Sequence, residues 1–283
     1  MSQSLVDKLP DISGKAGLRV WLKSSGYARR LLLGEAGDPW LGAAAYLAYF
    51  GQANGLLRPD IAVLEVDDLL RSWAKRHPAL TSEMAAKRRT SYPLRKLLEA
   101  EGPRQLLAEV AEAVAGAVRG QVPVVLAMAT PRAWLGMASQ LTGRDDVTVE
   151  DDDLEDAAMY MADFFRSVSS APVGGVFLED GKAPAQLGDA ARCRPVVNVA
   201  RHYRWGIVWR TQGDAGEALA EMVDGLVMPL PPTGLAKAAG LEVGPALWSG
   251  AALPPLAPGQ FYFAEIPVDQ KPETVLDNLS RLR

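Results

Sequence analysis

Short apolar runs rich in Val, Ile and Leu recur along the chain, each followed by a polar break and then a longer stretch with helical spacing. That rhythm predicts parallel βα units closing into a (β/α)8 barrel of the TIM type, a single α/β domain over residues 1–283. Predicted strands are LRVWL at 18–22, VPVVLAMAT at 122–130, VGGVFLED at 173–180, PVVNVA at 195–200, GIVWR at 206–210, DGLVMPL at 224–230, PALWSG at 245–250 and FYFAEIP at 261–267. IAVLEV at 61–66 reads either as a further strand or as the start of a helix running through DDLLRSWAKRH. The run at 122–130 has no polar residue before Thr130, as expected of a strand covered on both faces.

Helical spacing is expected at 42–54, at 214–223 and in the terminal PETVLDNLSRLR. Over 93–119, Leu97, Leu98, Leu106, Leu107, Val110 and Val114 form an apolar face that Gly102 and Pro103 divide into two helices. The acidic run Glu150 to Asp153 suits a helix N-terminus. Residues 24–95 are irregular enough to hold a helical insertion over the barrel mouth.

Composition narrows the class. At 48% hydrophobic and 23% charged residues the chain can bury a sizeable core, yet its apolar runs are too short to span a bilayer. The polar start MSQSLVDKLPDISGKAG has no signal-peptide pattern, so the expected location is the cytoplasm. Thirty Lys and Arg against 34 Asp and Glu, a net charge of −4, supply no general attraction for nucleic acid. The expected partner is a small anionic substrate, with pairing into a homodimer. One cysteine, Cys193, and two histidines leave few soft metal ligands, so no metal is expected. Phosphate-loop, dinucleotide and serine-hydrolase motifs do not occur.

In a parallel barrel, residues just after the strands converge on the carboxyl face. The run ARHYRW, read as following the strand PVVNVA, crowds Arg201, His202, Tyr203 and Arg204 there. Arginine grips a carboxylate with two parallel hydrogen bonds, histidine moves a proton near neutral pH, and tyrosine donates to a developing oxyanion. If the run stays extended, Arg201 and Tyr203 face one way while His202 and Arg204 face the other. Arg132 in TPRAWL stands where a strand becomes a helix, either strengthening an anion site or pairing with a loop carboxylate. Glu179 is a candidate base beside Asp180; Lys23, Arg29 and Arg30 in LKSSGYARR, and Trp248, complete the candidate substrate-binding set.

The segments VPVVLAMATPRAWLG, VGGVFLEDG, VVNVARHY and FYFAEIP, in that order, resemble the superfamily joining uroporphyrinogen decarboxylases and cobalamin-independent methionine synthases. VWLKSSGYARR also looks like the arginine-bearing loop that grips substrate carboxylates in the decarboxylases, which implies that role for Arg29 or Arg30. The methionine-synthase branch uses zinc held by His, Cys and acidic ligands, for which this chain has one Cys and no histidine cluster. The decarboxylase branch implies no metal or organic cofactor. The resemblance therefore points to a cofactor-independent lyase, decarboxylating or cleaving a C–C bond of a carboxylate-bearing acid, with arginines holding the acid and His202 or Glu179 transferring the proton. A methyl- or alkyl-transferase and a non-catalytic protein binding an anionic metabolite are the alternatives.

Overall fold

Alternation along each strand sorts side chains between two apolar layers. The computed structural model describes residues 3–13, 17–145, 147–181, 188–212, 216–231 and 235–282. Its strands are β1 (Val20–Lys23), β2 (Ala62–Glu65), β3 (Val124–Ala129), β4 (Gly175–Glu179), β5 (Gly206–Arg210), β6 (Gly225–Met228), β7 (Ala238–Glu242) and β8 (Gln260–Glu265). All ladders are parallel, in the order β1-β8-β7-β6-β5-β4-β3-β2. The result is a nearly closed (β/α)8 barrel in which, among the described residues, no ladder crosses the seam between β1 and β2. No described helix is long and apolar enough to cross a membrane.

Trp21, Val125, Ala127, Phe177, Val208, Val227, Phe261 and Phe263 point inward and fill the barrel. Their neighbours in sequence, such as Leu126, Val176, Leu178, Ile207, Trp209 and Leu226, point out against the helices. Two buried faces explain why these strands read as unbroken apolar runs. Four large rings share the interior, with Trp21 4.8 Å from Phe177 and Phe177 5.6 Å from Phe263 between centroids. Small residues opposite make the room. A Cβ on Gly240 would lie 2.8 Å from the Phe261 ring.

At the amino-terminal end, the short helix Leu5–Lys8 plugs the barrel. Leu5 is fully buried, and its N–H donates to the Gly174 carbonyl at 3.0 Å. A Cβ on Gly175 would come within 2.6 Å of Leu5 and one on Gly206 within 3.0 Å, so the plug depends on both glycines. Gly175→Ala is expected to lower stability by about 1–3 kcal/mol, the usual cost of overpacking, as read by urea denaturation. A loss below the measurement error would show that the plug moves aside freely.

Two predicted strands are helical instead. PVVNVA is part of the helix Arg194–His202, because Cys193, Val196, Val197 and Ala200 are buried at helical spacing and Pro195 sits in the first turn. Its β-branched composition hid a period of three to four. PALWSG starts within the helix Gly244–Trp248. The strand of that unit is instead β7, AAGLE, whose small residues carry little strand propensity but suit the crowded interior. IAVLEV, open between strand and helix, supplies both, Ala62–Glu65 forming β2 and Val66 opening the helix Val66–Arg76. The long helical stretch breaks at Ala100 into Tyr92–Glu99 and Glu101–Val118. Of the helix expected at 214–223, Gly216–Met222 is helical, and residues 214 and 215 lie outside the described residues.

Candidate active site at the carboxyl mouth

Each inward-facing core residue fixes the direction of the residue two positions on. Trp21 is followed by Lys23, Val63 by Glu65, Phe177 by Glu179, Val208 by Arg210, Gly240 by Glu242 and Phe263 by Glu265. Six charged side chains therefore end their strands pointing toward the barrel axis, above the aromatic layer and at the face where barrel enzymes carry chemistry.

They form a connected network. Lys23 Nζ, on β1, reaches across the mouth to Glu179 Oε1 on β4 at 2.5 Å. Glu179 Oε2 accepts from Arg210 Nη1 at 2.9 Å, so both of its oxygens are engaged. Arg210 also donates to Glu242 through Nε at 2.5 Å and to Glu265 through Nη1 at 3.0 Å. Its guanidinium lies 4.9 Å from the centre of the Phe263 ring. The bare β1–β2 seam is bridged here by side chains, Ser25 Oγ donating to Glu65 Oε1 at 2.7 Å.

Burial works against the Lys23 ammonium, but the carboxylates of Glu65, Glu179 and Glu265 outweigh it and hold the pKa above the ordinary lysine value. Lys23 is thus a fixed cation rather than an amine nucleophile. Burial raises Glu65 to about 7, opposed by Lys23 and the Ser25 hydrogen bond and assisted by Glu179 and Asp68. Beside the network, Asp67 accepts from the Trp134 indole at 2.5 Å and the Ala129 N–H at 3.2 Å. Asp180 accepts from the Trp209 indole at 3.0 Å and Thr211 Oγ1 at 2.6 Å. These two acids brace the mouth.

The open space above is a cleft of about 770 Å³. Lys23, Glu65, Glu179, Arg210 and Glu265 floor it, while Arg29 and Arg71 reach it from the helices Ser25–Leu33 and Val66–Arg76. Arg29 is only loosely held, 3.9 Å from Asp68. Among the described residues Arg71 forms no ion pair. Arg132 lines the cleft but spends its fork on Asp189, through Nε and Nη2 at 2.8 Å each. Arg30 pairs with Asp269 and with Glu35 outside the cleft. Trp248 stands to one side, its indole donating to the Glu265 carbonyl at 2.7 Å. Among the described residues no three His, Cys, Asp or Glu side chains are placed to hold a metal ion.

The run at 201–204 is not at this mouth. Because PVVNVA is helical, Arg201 and His202 end that helix, and Tyr203 and Arg204 turn into the amino-terminal end of β5. Arg201 pairs with Asp224 at 2.9 Å, and Tyr203 packs against Trp205. His202 is exposed, and Arg204 adopts a left-handed turn conformation with φ 59°. Alternation along an extended segment does not apply to them. Of the candidates, Lys23, Glu179, Arg29 and Arg132 share the cleft. Glu65, Arg71, Arg210 and Glu242 were not among them. The signal for the three strand-end residues was the place two beyond an inward apolar residue; Arg71 has no comparable sequence mark.

Comparison with protein-family models finds no match to this chain, and comparison with curated proteins finds none either.

Proposed function

We propose that the cleft is the active site of a cofactor-independent lyase acting on a carboxylate-bearing organic acid, by decarboxylation or a related C–C cleavage. Supporting this reading is one juxtaposition: a fixed ammonium and a carboxyl group that titrates near neutrality, in a cleft that also presents two weakly engaged arginines. Arg29 and Arg71 hold a carboxylate of the substrate. When the C–C bond to the departing carboxyl breaks, the electron pair stays on carbon and spreads onto an adjacent carbonyl oxygen, which the Lys23 ammonium stabilises. Glu65, still carrying its proton, delivers it to that carbon and is reprotonated from solvent. Glu179, clamped by Lys23 and Arg210, positions the ammonium rather than moving a proton.

The test is a panel of β-keto, arylmalonic and hydroxy acids incubated with the protein in D2O, with NMR following loss of the carboxyl carbon and deuterium entering at the neighbouring carbon. Arg29→Ala and Arg71→Ala are each expected to raise KM roughly 10–100-fold, the scale of a charge-assisted hydrogen bond, with kcat changed far less. Turnover of none of the acids, or turnover indifferent to both substitutions, would falsify the reading.

A further inference from the structure

The charged cleft does not end at Arg210 and Glu265. Both side chains also line a second hollow of about 440 Å³, walled by Pro245, Trp248, Phe263, Ile266 and Val268. The walls of the two hollows also pack together, since a Cβ on Gly26, in the wall of the charged cleft, would lie 3.2 Å from Val268 Cγ2. The hollows adjoin at Arg210 and Glu265, which line both, and form a charged and an apolar lobe.

The second lobe is the more apolar of the two, although Glu242 also lines it. The one polar atom of Trp248 is used by the Glu265 carbonyl, leaving the ring itself as apolar surface. Arg210 lies on the Phe263 ring with three carboxylates on its nitrogens, and Glu242 is taken up by Arg210 and Gln212. Arg210 and Glu242 at the junction are therefore already engaged, and the rest of the wall is largely apolar. Val268 stays 49% exposed at the rim, an apolar residue left without cover. Ligand sites commonly combine a few convergent polar groups with an apolar wall in this way.

We infer that the substrate is an aryl-bearing carboxylic acid, its carboxylate end in the charged lobe and its ring against Trp248 and Val268. This inference rests on the carboxylate reading of the charged lobe and adds the substrate class. Three probes separate the two, 3-phenylpropionate, propionate and the neutral 3-phenylpropanamide, each titrated by NMR with the Trp248 indole signal followed. 3-Phenylpropionate is expected to bind at least roughly tenfold more tightly than propionate and to shift that signal, as an aromatic contact plus area burial provides. Trp248→Ala and the surface variant Val268→Asp should each bring it back toward propionate, while Arg71→Ala weakens both acids.

Equal affinity of the two acids, or indifference of 3-phenylpropionate to both Trp248→Ala and Val268→Asp, overturns the inference and leaves the carboxylate reading standing. Amide binding as tight as acid binding, with Arg71→Ala silent, instead overturns the carboxylate reading and with it the acid class. Failure of both acids to bind overturns the two together.

Discussion

Arg210→Met should cost about 3–5 kcal/mol of stability at pH 8, the range seen when one partner of a buried ion pair is removed. The reason is the company Arg210 keeps. Its guanidinium is the shared partner of Glu179, Glu242 and Glu265, which come from three different strands. Without it these carboxylates face one another at the barrel mouth, with Lys23, in contact with Glu179, as the remaining nearby cation of the network. Their mutual repulsion would then oppose folding, and dissolved salt screens such repulsion. The deficit of the variant should therefore shrink between about 0.05 M and about 1 M NaCl. Urea denaturation at the two salt concentrations reads this directly. An equal deficit at both would assign the loss to packing on Phe263 instead of charge.

Glu65→Gln separates proton delivery from binding. Turnover at pH 7 is expected to fall by about 10²–10⁴-fold, the usual contribution of a positioned acid, with KM for the acid nearly unchanged. In the native protein the rate should decline as pH rises through about 7, because Glu65 loses the proton it must give. That limb should vanish in the variant. Stability moves the other way. The carboxyl is raised from an ordinary value of 4.5 to about 7 on folding, so its contribution is present at low pH and lost as pH climbs through 7. Glu65→Gln should thus be more stable than the native protein at pH 8, by on the order of 1–3 kcal/mol. A variant with full turnover would remove Glu65 from the reaction.

Much of the barrel was legible because strands buried on two faces leave unbroken apolar runs, as in VPVVLAMAT and GIVWR. The two misread strands show where that signal fails. In Val196, Val197 and Val199 the β-branched residues are the buried stripe of a helix, and composition pointed away from spacing. In β7 the crowding of Phe261 imposed glycine and alanine, so a true strand lacked strand-like residues. The first error moved the candidate site to the wrong end of the barrel. Once PVVNVA is helical, the residues after it lead into a strand instead of following one. Lys23, Arg29, Arg132 and Glu179 were found because they follow strands assigned correctly. Glu242 was hidden with its strand, and Glu65 with the uncertain identity of IAVLEV. The commitment of Arg132 to Asp189 was open because their pairing joins residues 57 apart in sequence.

The unladdered seam has a kinetic consequence. Between β1 and β2 the barrel lacks, among the described residues, the backbone ladder that joins its other neighbours, and the Ser25 to Glu65 hydrogen bond spans the gap at the mouth. Amide protons along these two strands should therefore be the first of the barrel to exchange with deuterated water, through brief parting of the staves rather than unfolding. A ligand seated between Lys23 and Glu65 would act as a clasp and slow that exchange, which makes isotope uptake at β1 and β2 a gauge of occupancy before any substrate has been identified.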